Sequence, residues 1–330
     1  MKLEKINKTA KTFILYLLLF FSFDVVYSNF FFKSDLKYNC YKYTNNFHFL
    51  QKNCKAKEKW IKKAAAYNVF TDENGFRFSG LKKDKSNKNA LFFGDSFTYG
   101  MGLEYNKTFV GIIENEISSY NIVNLGVQGY SPSVYLYQLK KFKNNSSDAK
   151  KIFVTLDLSD IFEEASIWKN DKNFDHPVLI NERNLNEDEK KLSFKDKNFK
   201  ASRFIARKIN NFFRKLRLNN FNSSNLDKIP GNSGWGNFIY MELSKTDQKL
   251  WYPIGFNAAL KKVEDNFLSI GKIASQMNAD FYIIIYPWPD TIYNGQKEFD
   301  WEKYSSNICE ISNCKKLINL FPVFDKIKKN

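Results

Sequence analysis

Apolar residues fall along this chain in short continuous runs separated by amphipathic stretches. Ala90–Asp95 (Ala-Leu-Phe-Phe-Gly-Asp), Asn121–Leu125, Lys151–Asp157 and Phe281–Tyr286 each read as a buried strand, with Lys316–Phe321 as a fifth. Between them, Thr108–Ser118 carries Phe109, Ile112, Ile113 and Ile117 at helical spacing. Ser131–Phe142 opens with a capping serine and with Pro132 at the first helical position. Asn257–Met277 is a long amphipathic helix bearing Leu260, Val263, Phe267, Ile270 and Ile273, and Pro287 and Pro289 stop the fourth strand. Strands this apolar, alternating with helices, predict a parallel sheet covered on both faces, an α/β fold.

The ends of the chain and one long stretch depart from that rhythm. Lys2, Lys5, Lys8 and Lys11 precede the apolar run Phe13–Phe23, the charged and hydrophobic regions of an export signal. Asp24 interrupts it before a second apolar patch at Val25–Phe32. Val26-x-Ser28 offers a poor cleavage signal, so residues 1–32 are read as a signal peptide or a retained membrane anchor, with a buried N-terminal helix as the plainer alternative. Either export reading puts the body outside the cytoplasm, because the lysines stay inside. Residues 33–85 form an N-terminal extension, 86–330 the α/β domain, and 163–256 an insertion within it. In the insertion, 181–200 is charged and loop-like, and Lys200–Leu218 is a basic amphipathic helix. Packing on the sheet is the expectation for that helix; lying on a membrane surface is the alternative.

Charge changes the picture less than it first suggests. The 51 Lys+Arg against 35 Asp+Glu give a formal +16 over 330 residues. Only six are Arg (77, 183, 203, 207, 214 and 217), and the lysines are spread, as are the many asparagines. Lysine lacks the bidentate fork of base and phosphate recognition, so no nucleic-acid partner is expected. The four cysteines, Cys40, Cys54, Cys309 and Cys314, lie in two local pairs. Three connectivities are open to them; the local one closes two short loops and suits an oxidising compartment. No Cys-x-x-Cys is present and the only histidines are His48 and His176, so no metal or organic cofactor is expected.

Open α/β sheets place their chemistry at the carboxyl ends of the strands. The first end reads Gly94-Asp95-Ser96-Phe97-Thr98-Tyr99-Gly100, a serine held at the sheet top between glycines. Thr98 stands where Gly-x-Ser-x-Gly would need glycine, which disfavours an α/β-hydrolase elbow, and no phosphate-binding glycine motif occurs. The second end reads Asn124-Leu125-Gly126-Val127-Gln128-Gly129-Tyr130-Ser131, and the third Asp157-Leu158-Ser159-Asp160, whose acids alone suggest only N-caps.

Together these blocks resemble the SGNH (GDSL-type) hydrolase superfamily. Gly94-Asp95-Ser96 with Thr98 and Gly100 is similar to its first block, Asn124-x-Gly126-x-x-Gly129 to its second, and Asp157-Leu158-Ser159-Asp160 stands in place of its Gly-x-Asn-Asp. Gly75-Phe76-Arg77, Tyr130-Ser131-Pro132 and Tyr286-Pro287-Trp288-Pro289 resemble an exported, membrane-associated branch. The resemblance covers about 70–160 and 257–325 and implies a flavodoxin-like three-layer α/β/α sandwich. It implies a serine esterase acting on an acylated glycan or lipid outside the cytoplasm, or an O-acyltransferase of the same fold acting on cell-surface polysaccharide. Ser96 is then the nucleophile. Its own N–H and that of Gly129 form the oxyanion hole, and Ser159 replaces the family's Asn donor. The family's base lies in a C-terminal Asp-x-x-His. Here no histidine follows His176, and the sequence stops six residues after the apolar run Lys316–Phe324. An impaired or truncated enzyme is therefore expected, with an inactive binding protein as the alternative, its cleft lined by Tyr99, Tyr130 and Trp288. His176, beside Asp175 in the insertion, is the candidate substitute base; a surface loop histidine is the plainer alternative.

Overall fold

The structure is a computed structural model that describes residues 11–12, 15–16, 18–27, 40–44, 46–60, 64–80, 88–145, 148–180, 202, 251–288, 291–292 and 299–328. The charged stretch 181–200, the amphipathic helix apart from Ser202, residues 219–250 and Pro289–Asp290 lie outside the described residues. The chain divides into two compact units. One comprises Met1–Asp35 with Asn184–Ser224, the other Leu36–Arg183 with Asn225–Asn330.

In the first unit, residues 18–27 are helical. Asp24, the acid that interrupts the apolar run, is fully buried there, and its Oδ2 accepts from the backbone N–H of Ser202 at 2.8 Å and from the Ser202 hydroxyl. Among the described residues no helix is long and apolar enough to cross a membrane.

The second unit begins with two antiparallel hairpins, β1 (Tyr41–Tyr43) with β2 (His48–Leu50) and β3 (Lys55–Glu58) with β4 (Tyr67–Phe70). A Cys40–Cys54 disulfide ties them together. β5 (Lys88–Phe93) leads into α1 (Ser96–Tyr99), a 3-10 turn at Tyr105–Lys107 and α2 (Phe109–Glu116). Then come β6 (Tyr120–Asn124), α3 (Pro132–Asn145), β7 (Ala149–Leu156), α4 (Leu158–Ser166) and a small hairpin of β8 (Trp168–Lys169) with β9 (Val178–Leu179). α5 (Phe256–Gln276), β10 (Asp280–Ile285), α6 (Trp301–Ile311), β11 (Lys316–Asn319) and α7 (Phe321–Lys328) complete it. A second disulfide, Cys309–Cys314, closes the turn after α6. Both local cysteine pairs are thus formed.

Five strands make one parallel sheet in the order β11-β10-β7-β5-β6. Numbered by their sequence within the sheet this is 2-1-3-4-5, the flavodoxin-like winding expected from the resemblance. Alternation sorts the strand residues onto two apolar faces. Leu91, Phe93, Ile152, Val154 and Ile283 share one, against which α5 packs Phe267 on Phe281 at 6.3 Å. Ala90, Phe92, Ile122 and Ile284 share the other with Val110 of α2, and Phe92, Phe153 and Tyr282 stack there at 4.6 and 4.8 Å. Each such buried side chain contributes about 1.5–3 kcal/mol. β11 ends two residues earlier than expected, because the Asn319 side chain turns back to cap α7, its Oδ1 accepting from Phe321 N at 2.9 Å.

All five strands run the same way, so their carboxyl ends share one edge. Gly94-Asp95, Asn124, Asp157 and Tyr286 meet there. The extension meets the sheet too: Arg77 bridges antiparallel to Asn124 of edge strand β6.

Candidate active site

Ser96 is the first residue of α1, which follows the interior strand β5 after Gly94 and Asp95. Asp95 caps that helix through its Oδ1, which accepts from Phe97 N at 2.9 Å, while its Oδ2 accepts from Ser96 Oγ at 3.1 Å. Arg77 fixes the other end. Fully buried, its guanidinium donates to the carbonyls of Tyr99 (2.6 Å), Gly100 (2.8 Å) and Leu103 (2.6 Å) and lies 4.6 Å from the Tyr99 ring. Thus a four-residue helix, too short to persist alone, is held at both ends.

The second motif packs directly on the first. Val127 N donates to Gly94 O at 3.2 Å, and Asn124 Nδ2 donates to Thr98 O at 2.8 Å while its Oδ1 accepts from Gly126 N. At Gly126 a Cβ would sit 2.4 Å from Tyr99 N, so only glycine allows this approach. Gly129 has φ +72°, the left-handed region that favours glycine, and its carbonyl accepts from Trp168 Nε1 at 2.8 Å. His48 straps the same loop: its Nε2 donates to Gln128 O at 2.8 Å, and its carbonyl accepts from Tyr130 Oη at 2.5 Å. The sequence offered no sign of that positioning role beyond proximity to Cys54.

The third strand end is where expectation and structure diverge. Asp157 caps α4 in a capping box, with Asp160 accepting from Asp157 N at 2.8 Å. Ser159, expected to donate into the oxyanion hole, gives both its N–H (2.7 Å) and its hydroxyl (2.6 Å) to Asp157 Oδ1. Tyr286 donates to the other Asp157 oxygen at 2.5 Å. Glu163, one turn further along α4, is buried beside Gly129, its Oε1 3.9 Å from where a Cβ on that glycine would lie. Glu164 is neutralised by Lys262 at 2.6 Å and accepts from Ser131 Oγ, Ser133 N and Ser133 Oγ.

Four carboxyls thus converge behind Ser96, and their titration reflects it. Burial, reinforced by Asp157, pushes the Asp95 carboxyl up to about 8. Burial and the Asp157 charge raise Asp160, and burial with Asp160, Asp95 and Asp157 raises Glu163 well above the ordinary carboxylate range. Phe97, 46% exposed, covers the solvent side and packs on Tyr286 at 4.9 Å and Trp288 at 5.6 Å. Among the described residues no cluster of His, Cys, Asp and Glu is arranged to hold a metal ion.

The remaining sequence candidates lie elsewhere. His176 donates through Nδ1 to Pro177 O at 3.0 Å, and its ring rests on Phe47, Phe174 and Tyr137 at 4.8, 5.4 and 5.9 Å. It lines a cavity of about 560 Å³ between the extension and α3, shared with Phe47, Leu125, Val127, Tyr137 and Lys141, whose lining does not include Ser96. Tyr99 is buried and does not line that cavity, its hydroxyl donating to Glu58 Oε2, whereas Tyr130, also largely buried and donating to His48 O, is one of the cavity's lining residues. Their phenols read as ligand contacts in sequence because nothing local reveals a buried acceptor. Trp288 packs on Phe97, the residue after Ser96, and Tyr99 closes the same four-residue helix that Ser96 opens.

No family model and no curated protein matches this sequence. Among solved structures, the chain is similar to the crystal structure of TesA, with TM-score 0.35 and 11% identity over 69% of this chain and 77% of that one. It is also similar to a point mutant of the esterase AlinE4, with TM-score 0.37 and 14% identity over 75% of this chain and 85% of that one. A likeness this weak carries no argument about this chain, and any functional reading rests on the residues at the sheet's carboxyl edge.

Proposed function

We propose that this chain is a serine acyl-hydrolase of the SGNH type, acting on an ester bond of an acylated glycan or lipid outside the cytoplasm. Ser96 Oγ attacks the acyl carbon, and the N–H groups of Ser96 and Gly129 receive the developing oxyanion. One observation carries the reading: the loop that bears Gly129 packs on the Ser96 turn through Val127 N to Gly94 O and Asn124 Nδ2 to Thr98 O. That packing puts a hydroxyl and a left-handed glycine on one strand edge. The two disulfides are compatible with export.

A second reading, a domain that binds such a compound without turnover, is favoured by the engagement of Ser96 Oγ with Asp95 and of His176 with Pro177. Both are tested by treating the purified chain and its Ser96→Ala variant with a fluorophosphonate, reading intact mass, and by following p-nitrophenyl acetate hydrolysis. The expected result is slow stoichiometric labelling that Ser96→Ala abolishes, with little turnover. Labelling that survives Ser96→Ala refutes the nucleophile, and rapid Ser96-dependent turnover excludes the binding-only reading.

A further inference from the structure

Glu163 has no structural task that accounts for where it sits. Its side chain is 9% exposed, and its Oε2 is buried with no hydrogen-bond partner. A buried carboxyl oxygen without a hydrogen-bond partner is costly to stability, which points to a role other than packing. It projects from α4 four residues after Ser159, so the two share a helix face. Its other oxygen lies 3.9 Å from the Cβ position of Gly129. Lys262, the cation beside this turn of α4, is committed to Glu164 Oε2 and to the carbonyls of Glu164 and Trp168, at 2.6, 3.2 and 2.6 Å.

The four charged groups that act most strongly on Glu163 are all acids. Burial, Asp160, Asp95, Asp157 and Glu164, in that order, all favour the protonated form. A protonated carboxyl carries one O–H donor, and apolar burial can keep such a donor in place at neutral pH. Meanwhile the hydroxyl that the sequence offered for this position, Ser159 Oγ, is turned away to Asp157.

We propose that the Glu163 carboxyl O–H donates the side-chain hydrogen bond to the oxyanion that forms beside Gly129. The proposal rests on the serine-hydrolase reading and assigns a further residue to that same site. Glu163 keeps its proton throughout. As Ser96 Oγ bonds to carbon its own proton passes to solvent water and the carbonyl π pair moves onto oxygen, and the hydrogen bond from the Glu163 O–H to that oxygen shortens without transfer.

The experiment compares the full chain with Glu163→Gln and Glu163→Leu. The rate constant for fluorophosphonate labelling of Ser96 is measured from pH 6 to pH 10. Removing one oxyanion donor lowers rates by about 10²–10³, so Glu163→Leu should label that much more slowly. Glu163→Gln, whose amide N–H still donates, should stay near the wild-type rate. The wild-type rate should fall at alkaline pH as Glu163 ionises, and Glu163→Gln should not share that fall. In parallel, infrared spectra at neutral pH should show a protonated-carboxyl band that Glu163→Gln lacks, a readout that needs no reactivity. If Glu163→Leu does not fold, the Gln variant's pH profile and the infrared band decide. Wild-type labelling with Glu163→Leu unchanged overturns the inference alone, as does absence of the band. Labelling that ignores Ser96→Ala overturns the hydrolase reading and the inference with it.

Discussion

Arg77 is the residue whose removal should most damage the site without touching it. Its guanidinium is fully buried and gives three short hydrogen bonds to the carbonyls of Tyr99, Gly100 and Leu103. Its planar face lies near the rings of Tyr67, Tyr99 and Tyr105, at 5.4, 4.6 and 5.7 Å. Glu58, whose carboxyl burial raises, receives the hydroxyls of Tyr67 and Tyr99 and is stabilised as a charge by Arg77. Arg77→Met keeps an apolar stem of similar length but strips the three carbonyls of donors and leaves Glu58 without its counter-charge. A buried acceptor without a partner costs about 1–3 kcal/mol, so three should cost about 3–5 kcal/mol after the methionine recovers some packing. That is a large share of the 5–15 kcal/mol typical of a folded domain. Urea unfolding followed by tryptophan fluorescence should show a midpoint lowered accordingly. Arg77→Lys should fall between, since an ammonium donates but cannot fork across three carbonyls. Tyr99 O and Gly100 O end the Ser96 helix, so Arg77→Met should also slow Ser96 labelling under folding conditions. A midpoint within about 1 kcal/mol of wild type would show that this network is not what holds α1.

Three further expectations follow from single contacts. Gly126→Ala sets a Cβ 2.4 Å from Tyr99 N; strain of about 1–3 kcal/mol should appear in thermal unfolding, with Ser96 labelling lost first. Asp95→Asn keeps the N-cap but removes a carboxyl raised from 3.8 to about 8 by burial and by Asp157. The unfolded chain ionises that group first, so its contribution to stability is present in acid and is lost as pH rises from about 4 through about 8. Urea midpoints at pH 5 and pH 9 should therefore differ less in Asp95→Asn than in wild type; an equal difference contradicts the burial of a charge there. Replacing Cys40 and Cys54 together by Ser opens a loop of sequence separation 14, which should cost about 3 kcal/mol and loosen His48 from Gln128, visible as faster amide exchange at β1 and β2.

The sheet was legible because its strands are near-continuous apolar runs between turn residues, and each core strand lies where that pattern placed it, give or take two residues at an end. α5 was legible for the complementary reason: its apolar residues Val263, Phe267, Ile270 and Ile273 all turn inward. α4 was not, and its composition explains the failure. Ser159, Asp160, Glu163 and Glu164 all face the interior, so a rule that assigns polar residues to solvent reads the helix inside out. Asp95 and Asp157 show a milder form of the same effect. For Asp157 the sequence reveals only an N-cap, and that reading is correct locally; Asp95, read only as part of the Gly-Asp-Ser block, is an N-cap as well. Their proximity to each other comes from the parallel registration of β5 and β7, a long-range fact that no local spacing encodes. The position of the candidate nucleophile could thus be inferred from the chain, whereas the acidity around it could not. Motif residues are fixed by local backbone geometry, a tight turn or a left-handed glycine, and such constraints leave a mark in sequence. The state of a buried carboxyl depends on which other carboxyls the fold brings close, and here those come from two separate strand ends, Asp95 after β5 and the acids of α4 after β7. Local patterning and tertiary burial disagree most in α4 and at Asp95, beside the proposed nucleophile, and a cluster of acids held out of water is a pattern that functional sites favour.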